Sequence, residues 1–334
     1  MKPSDTRKLA SVDINLSVLG LGCAQMGHLS KRTPLAEAKD AAEAAWDLGI
    51  RYFDTAPFYG FTRSERRLGT LLDDRVRDDF RVSTKVGRLM IPERVYRETD
   101  EGFAFPAPFV QAYDYSYDAI LKSFEASQQR LGLAMIDILY VHDIGAMTHG
   151  DRHGHYWSQL TAGGGFRALS ELRADGRIRA FGIGVNECDV LRNTLDECDM
   201  DVAMLAGRYT LLEQDSHDLL DRCLSHGTRI VVAGAFNSGV LAGNNSFNYG
   251  EAPPEILRRV LALREAASEF EIPIQAAALQ FPLAHPAVVS VVVGARNADQ
   301  ITHNAAWLEM EIPASFWQSL SKKGLIVDGA PLPE

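Results

Sequence analysis

Eight short apolar runs, each followed by a segment of helical periodicity, limit most strongly how this chain can fold. The runs are SVLGLG, IRYF, FRVSTK, IDILYV, IRAFGIGV, DVAMLA, TRIVVAG and VVSVVVG. The segments between them are LAEAKDAAEAAWDLG, SERRLGTLL, YDAILKSFEASQQRLG, FRALSELRADG, DVLRNTLDEC, SHDLLDRCLSHG and PEILRRVLALREAASEF, and NADQITHNAAWLE follows the last run. Apolar residues three and four apart mark these segments as amphipathic helices. Gly49, Gly132, Gly176 and Gly227 stand at helix ends, where a left-handed residue terminates the turn. Strands that are apolar nearly throughout and separated by helices belong to a parallel, helix-covered sheet. Eight such units predict an α/β fold closed into a (β/α)8 TIM barrel. One domain over residues 1–334 is expected, with residues up to about 15 as an N-terminal segment that can form a hairpin plug.

The open doubly wound alternative is tested by glycine spacing. Gly20-Leu-Gly22 has Gln25 where a dinucleotide fingerprint needs its third glycine, and Gly182-Ile-Gly184 has Glu187. A nicotinamide cofactor would therefore bind without a Rossmann domain. Two connections are long, residues 87–115 after the third strand and 143–165 after the fourth. Both leave C-terminal strand ends and are expected to overhang a pocket there.

A hydrophobic content of 46% supports one large core. The net charge of −10 speaks against nucleic acid as a partner. No signal-peptide pattern or membrane-length apolar run is seen, so a cytoplasmic location without membrane attachment is expected. The four cysteines, Cys23, Cys188, Cys198 and Cys223, form no C-x-x-C pair and read as reduced, mostly buried thiols. No metal site is expected, since His149, Asp151, His153 and His155 match no ligand spacing. The cluster RSERRL (63–68) reads as a solvated helix face. Gly163-Gly164-Gly165 reads as a flexible lead-in to a helix.

Polar residues end four of the strand patterns: Asp54, Lys85, His142 and Asn186. Barrel enzymes build their sites from such C-terminal strand ends. Tyr59 lies five residues past Asp54 in FDTAPFYG. A tyrosine hydroxyl titrates near ~10, and a nearby ammonium lowers that value. Lys85 can supply the ammonium, Asp54 can hold Lys85, and His142 can orient a substrate oxygen. Asn186 offers the donor and acceptor that a nicotinamide carboxamide needs. Each also has a plain structural reading. Asp54 can cap a helix, Tyr59 can pack in a proline turn, Lys85 can face solvent, and His142 can be a satisfied core histidine.

With these motifs assembled, the chain resembles the aldo-keto reductases over nearly its whole length. The resemblance rests on LGLGCAQMG, LGIRYFDTAPFYG with SERRLG, VSTKVG, SFEASQQRLGLAMIDILYVHD, GRIRAFGIGVNE and VVVGARNADQITHN. It implies a catalytic tetrad of Asp54, Tyr59, Lys85 and His142. It implies cofactor contacts from Gly22, Asn186, Gly234, Gly294, Arg296, Gln300 and Asn304, with Gly184 letting the backbone approach the cofactor. Val185, Ala206, Gly207, Gly234 and Ala235 depart from residues the family often places there. The cofactor is NAD or NADP. The neutral Gln300, where NADP-preferring members commonly carry Arg, favours NAD. The segment YDYSYDAILKSFEASQQRLGLAMIDILYVHDIG resembles the aldose 1-dehydrogenases of L-fucose and D-threo-aldose type and the related pyridoxal 4-dehydrogenases. The implied reaction is oxidation of a small-molecule hemiacetal to a lactone. His149, His153, His155, Tyr156 and Trp157 are candidates to read its hydroxyls. The alternatives are pyridoxal 4-dehydrogenase, an NADPH-dependent carbonyl reductase, and a regulatory cofactor-binding subunit. The sequence does not give the oligomeric state.

Overall fold

A computed structural model describes every residue except Ser11, Tyr249 and Glu334. Eight parallel strands close the barrel: β1 (Leu19–Gly22), β2 (Tyr52–Asp54), β3 (Arg81–Val86), β4 (Ile136–His142), β5 (Ile178–Val185), β6 (Val202–Ala206), β7 (Arg229–Ala233) and β8 (Val288–Gly294). Their spatial order follows the chain, and β8 closes on β1 with Gly294 opposite Gly22. All eight expected strands are present, so the (β/α)8 barrel read from the sequence is the observed fold.

Outer-facing residues such as Phe53, Val82, Leu139 and Val141 pack against the surrounding helices. These helices are α1 (Leu35–Asp47), α2 (Arg63–Leu72), α3 (Tyr117–Leu131), α4 (Gly165–Ala174), α5 (Cys188–Glu197), α6 (His217–Ser225), α7 (Pro254–Ser268), α8 (Ile274–Gln280), α9 (Ala298–Glu309) and α10 (Ala314–Lys322). Helix α8 was not foreseen. Its sequence IQAAALQ is short and largely apolar, with no polar stripe to reveal a period. Inside the barrel, Tyr52, Ile138, Tyr140, Val202, Met204, Val231 and Val292 form a separate core. Leu9, Ile14 and Leu16 join it from an antiparallel hairpin of Thr6–Lys8 with Asn15–Ser17, which seals the N-terminal end.

The long connections are folded. Residues 87–115 form two hairpins, Arg88–Pro92 with Phe109–Tyr113 and Thr99–Asp100 with Phe103–Ala104. Residues 143–165 contain the short helices Ala146–His149 and His153–Leu160. The glycine triplet is a close-packing device more than a flexible leader. A Cβ on Gly165 would lie 2.2 Å from the Tyr115 carbonyl oxygen. The reading of residues 63–68 as a solvated face also needs correction. Glu65 is fully buried, accepts from Thr84 Oγ1 at 2.7 Å and pairs with Arg130. Arg67 donates to the Met26 and Thr33 carbonyls, tying down the loop after β1.

Candidate active site

Strand alternation aims the polar residues. Successive side chains on a strand point to opposite faces. On β3, Ser83 and Lys85 therefore face inward while Val82 and Thr84 meet the helices. On β2 and β4 the same rule turns Tyr52, Asp54, Tyr140 and His142 inward. The C-terminal ends of three adjacent strands thus bring Asp54, Lys85 and His142 together.

Lys85 Nζ donates to both Asp54 oxygens, at 3.0 and 2.8 Å, and to the Thr55 carbonyl at 2.9 Å. Ser83 Oγ donates to Asp54 Oδ1 at 2.7 Å. Lys85 and Asp54 are both buried, which disposes of a solvent-facing lysine or a simple helix cap. Charges taken from water persist only when paired and hydrogen-bonded this fully. The Tyr52 hydroxyl extends the network, 2.9 Å from Ser83 Oγ and 3.2 Å from the Tyr140 hydroxyl.

Tyr59 lies in the loop leading to α2, half-buried beside this pair. Lys85 Nζ is 4.6 Å from the centre of its ring, within cation–π range. The ring meets His142 edge-on, with centroids 6.0 Å apart. The His142 imidazole is held well below its ordinary pKa by burial, then by the positive charges of Arg88 and Lys85. It is neutral through the working range, so one ring nitrogen donates and the other accepts.

Two further groups complete this side of the site. Asp143 Oδ2 is 3.5 Å from His142 Nε2 and pairs with Arg88. Arg88 is buried, with its guanidinium 4.3 Å from the centre of the Phe58 ring and 5.2 Å from that of Tyr113. Phe103, from the hairpin after β3, packs on both Phe58 and Tyr59. Sequence reading did not single out Arg88, Asp143 or Ser83. A usable signal existed, because Arg88 and Asp143 are the first charged residues beyond Lys85 and His142.

The other half of the rim carries glycine. Gly22, Gly207, Gly234 and Gly294 occupy or follow the ends of β1, β6, β7 and β8. Gly207 and Gly234 have φ of 67° and 66°, a left-handed region that favours glycine. A Cβ on Gly294 would fall 2.2 Å from Gln25 Nε2. Gln25 Oε1 is buried without a hydrogen-bond partner among the described residues. This cleared rim, with an unused amide acceptor beside it, fits a flat polar group such as a nicotinamide. Asn186 stands next to it, with Nδ2 3.5 Å from Asp143 Oδ1. A Cβ on Gly184 would face the barrel interior at ordinary contact distances, 3.4 Å from Tyr140 Cβ and 3.7 Å from Lys85 Cε.

The side chains of Arg296 and Gln300 are engaged locally. Arg296 donates to the carbonyls of Leu29 and Lys31 and to Thr33 Oγ1. Gln300 Oε1 accepts from the Arg296 backbone N–H, while Gln300 N donates to Asn297 Oδ1, the cap of α9. Asn304 is buried one turn further along α9. Among the loop residues proposed to read hydroxyls, His149 and Tyr156 are buried in a cluster with Tyr113 and Tyr115. His149 Nε2 lies 2.9 Å from the Tyr115 hydroxyl, which explains why these two face inward. His155 is exposed. Among the described residues no cluster of three acidic, histidine or cysteine side chains could hold a metal ion. All four cysteines are free, and Cys23 and Cys223 are buried.

A closed parallel barrel with its polar cluster at the C-terminal strand ends is the arrangement of a TIM-barrel enzyme. The sequence profile of the Aldo/keto reductase family matches residues 18–324, and the chain belongs to that family. It is accordingly an NAD(P)-dependent oxidoreductase. It is 46% identical to the pyridoxal 4-dehydrogenase of Microbacterium luteolum, covering 98% of this chain and 99% of that protein. It is 40% identical to the D-threo-aldose 1-dehydrogenase of a Pseudomonas species, covering 95% and 97%. Among solved structures, the holo form of an aldo-keto reductase from Bacillus halodurans superposes with a TM-score of 0.74 at 26% identity, covering 99% and 98%.

Proposed function

We propose that this protein acts as one barrel domain that oxidises the anomeric carbon of an aldose, of L-fucose or D-threo-aldose type, to a lactone. The observation that carries this reading is the buried Asp54–Lys85 pair, with its ammonium against the Tyr59 ring and His142 alongside. A bound nicotinamide would accept the hydride lost from C1. Tyr59, as phenolate, takes the proton from the C1 hydroxyl. Lys85 favours the phenolate by its charge, and Asp54 with Ser83 fixes Lys85 in place. Neutral His142 hydrogen-bonds the substrate oxygen and sets its direction. The C1–H and O–H bonds break as the C=O bond of the lactone forms.

The residues that would hold the nicotinamide nucleotide are Gly22, Asn186, Gly234 and Gly294 at the rim and Arg296, Gln300 and Asn304 beyond β8. NAD is the favoured form. Arg296, the nearby cation that could have met a 2′-phosphate, already donates to loop carbonyls, and Gln300 is neutral. A cytoplasmic location is part of this proposal; among the described residues no helix is long and apolar enough to cross a membrane.

A second reading, pyridoxal as substrate, is favoured by the aromatic wall of Phe58, Phe103 and Tyr113 and by the relative at 46% identity. Initial rates at mildly alkaline pH decide between them, with L-fucose, L-galactose, D-arabinose and pyridoxal each offered with NAD⁺ and NADP⁺. Turnover of a sugar with NAD⁺ supports the first reading. Turnover of pyridoxal alone supports the second. Silence across the panel with cofactor still bound rejects both.

A further inference from the structure

The Arg88–Asp143 pair is costly to keep where it stands. Asp143 is a non-glycine residue at φ 46°, in the left-handed region, immediately after β4. Its backbone N–H donates to the Gly184 carbonyl at 2.9 Å, which pins the turn. That turn sends the carboxylate back toward His142 instead of onward with the chain. Burial raises the Asp143 pKa, and the adjacent Arg88 opposes the rise. Arg88 is in turn fixed by Gln111 Oε1 at 3.1 Å and by the rings of Phe58 and Tyr113. Nothing in the hydride chemistry requires a second carboxylate here, yet the fold accepts local strain to hold one beside the substrate-orienting imidazole.

The two partners are unequally open. The Arg88 side chain is 6% exposed and that of Asp143 is 18% exposed. The carboxylate is therefore the part a substrate can reach. Its Oδ2 is occupied by Arg88, whereas among the described residues Oδ1 has only a long 3.5 Å contact from Asn186 Nδ2. Oδ1 keeps acceptor capacity for a hydroxyl donor. A substrate oxygen held by His142 places its neighbours on the carbon skeleton close to a carboxylate only 3.5 Å from that imidazole.

We propose that Asp143, braced by Arg88, is the specificity residue of the site: it accepts a hydrogen bond from the hydroxyl on the carbon next to the reacting carbon. This inference rests on the aldose reading above and sharpens it to aldoses with a free C2 hydroxyl. A substrate with an ionised oxygen near the reacting carbon, such as the phenolate of pyridoxal, meets a like charge and is disfavoured. A polar site built to bind a hydroxyl discriminates strongly against the analogue that lacks it, because its own buried group is then left unpaired.

The test compares kcat/KM for NAD⁺-linked oxidation of D-arabinose and 2-deoxy-D-ribose, which differ only in the C2 hydroxyl. L-fucose and 2-deoxy-L-fucose form a second pair. The wild-type protein should prefer the hydroxylated sugar by roughly 10- to 100-fold in each pair that it turns over. In Asp143→Asn that ratio should fall several-fold toward one, and the ratio cancels any loss common to both sugars through His142. The wild-type comparison stands even where the variant does not fold. A wild-type ratio near one, or a ratio unchanged in a variant that still binds NADH, overturns the proposal. Turnover of pyridoxal and of no sugar overturns it by a different route, because the aldose reading has then failed first.

Discussion

Buried aspartates at the two ends of the barrel put the same chemical group to opposite uses. At the N-terminal end, Asp137 on β4 accepts the Val82 backbone N–H at 2.8 Å and is surrounded by guanidiniums. Arg77 lies at 2.6 Å, Arg179 at 3.5 Å and Arg81 at 4.0 Å. Asp201, just before β6, repeats the motif with the Phe181 N–H at 3.0 Å and Arg173 at 2.8 Å. These carboxylates stitch neighbouring strands together. At the C-terminal end, Asp54 binds a single lysine whose ammonium faces a tyrosine. Guanidinium is always charged and suits a permanent clamp, whereas ammonium is a compact point charge that can favour a neighbouring phenolate. The difference lies in the partner and in access to the pocket, since all three aspartates are buried.

The comparison breaks first, and by the largest effect, at Tyr59. Tyr59→Phe should lower kcat on the order of 10²- to 10⁴-fold while leaving NADH binding and the thermal midpoint nearly unchanged. Substantial residual turnover in steady-state assays would remove Tyr59 from the proton transfer. Asp137→Ala should do the reverse. Three guanidiniums lose their common anion, a loss of about 3–5 kcal/mol when one partner of a buried pair is removed. Denaturant unfolding should show it, with kcat per folded molecule retained. If activity falls and stability does not, the division between the two ends is wrong.

Acid gives a smaller, shared effect. His28 and His149 are pushed down to about 4, His28 by burial and then the charges of Arg63 and Arg67, and His149 by burial and then Arg88. His142 is also held well below its ordinary value, by burial and then the charges of Arg88 and Lys85. A histidine whose folded pKa is depressed binds its proton more readily when unfolded. Its stabilising contribution is therefore complete above the unfolded value of about 6.5 and declines as pH falls toward the folded value. Each such group gives a slope of at most about 1.4 kcal/mol per pH unit in that window. Thermal midpoints measured from pH 7 to 5 should fall steadily, and a flat profile would contradict the neutral buried imidazoles. The smallest effect is expected from Gln300→Ala, which removes one capping interaction at α9. It should cost about 1 kcal/mol or less and leave the ratio of NAD⁺ to NADP⁺ affinity unchanged. A switch toward NADP⁺, measured by direct binding, would show that Gln300 itself sets the choice.

Much of the barrel was legible because strand and helix periods differ, and a polar residue at the end of an apolar run has no packing reason to be there. That made Asp54, Lys85, His142 and Asn186 visible one at a time. Residues 63–68 misled because helical periodicity does not say which charge is buried, and Glu65 is satisfied by Arg130 from α3. Arg88 and Asp143 went unnoticed because their pairing spans 55 positions and depends on a left-handed turn that no spacing rule encodes. The sequence by itself determined the strand–helix alternation, and with it the barrel and the side of each strand that faces inward. Only the tertiary structure decided which partner each buried polar residue meets. Closing the sheet brings Lys85 against Asp54 and Tyr59 while setting Asp137 among arginines, and burial then fixes the charges that each end keeps.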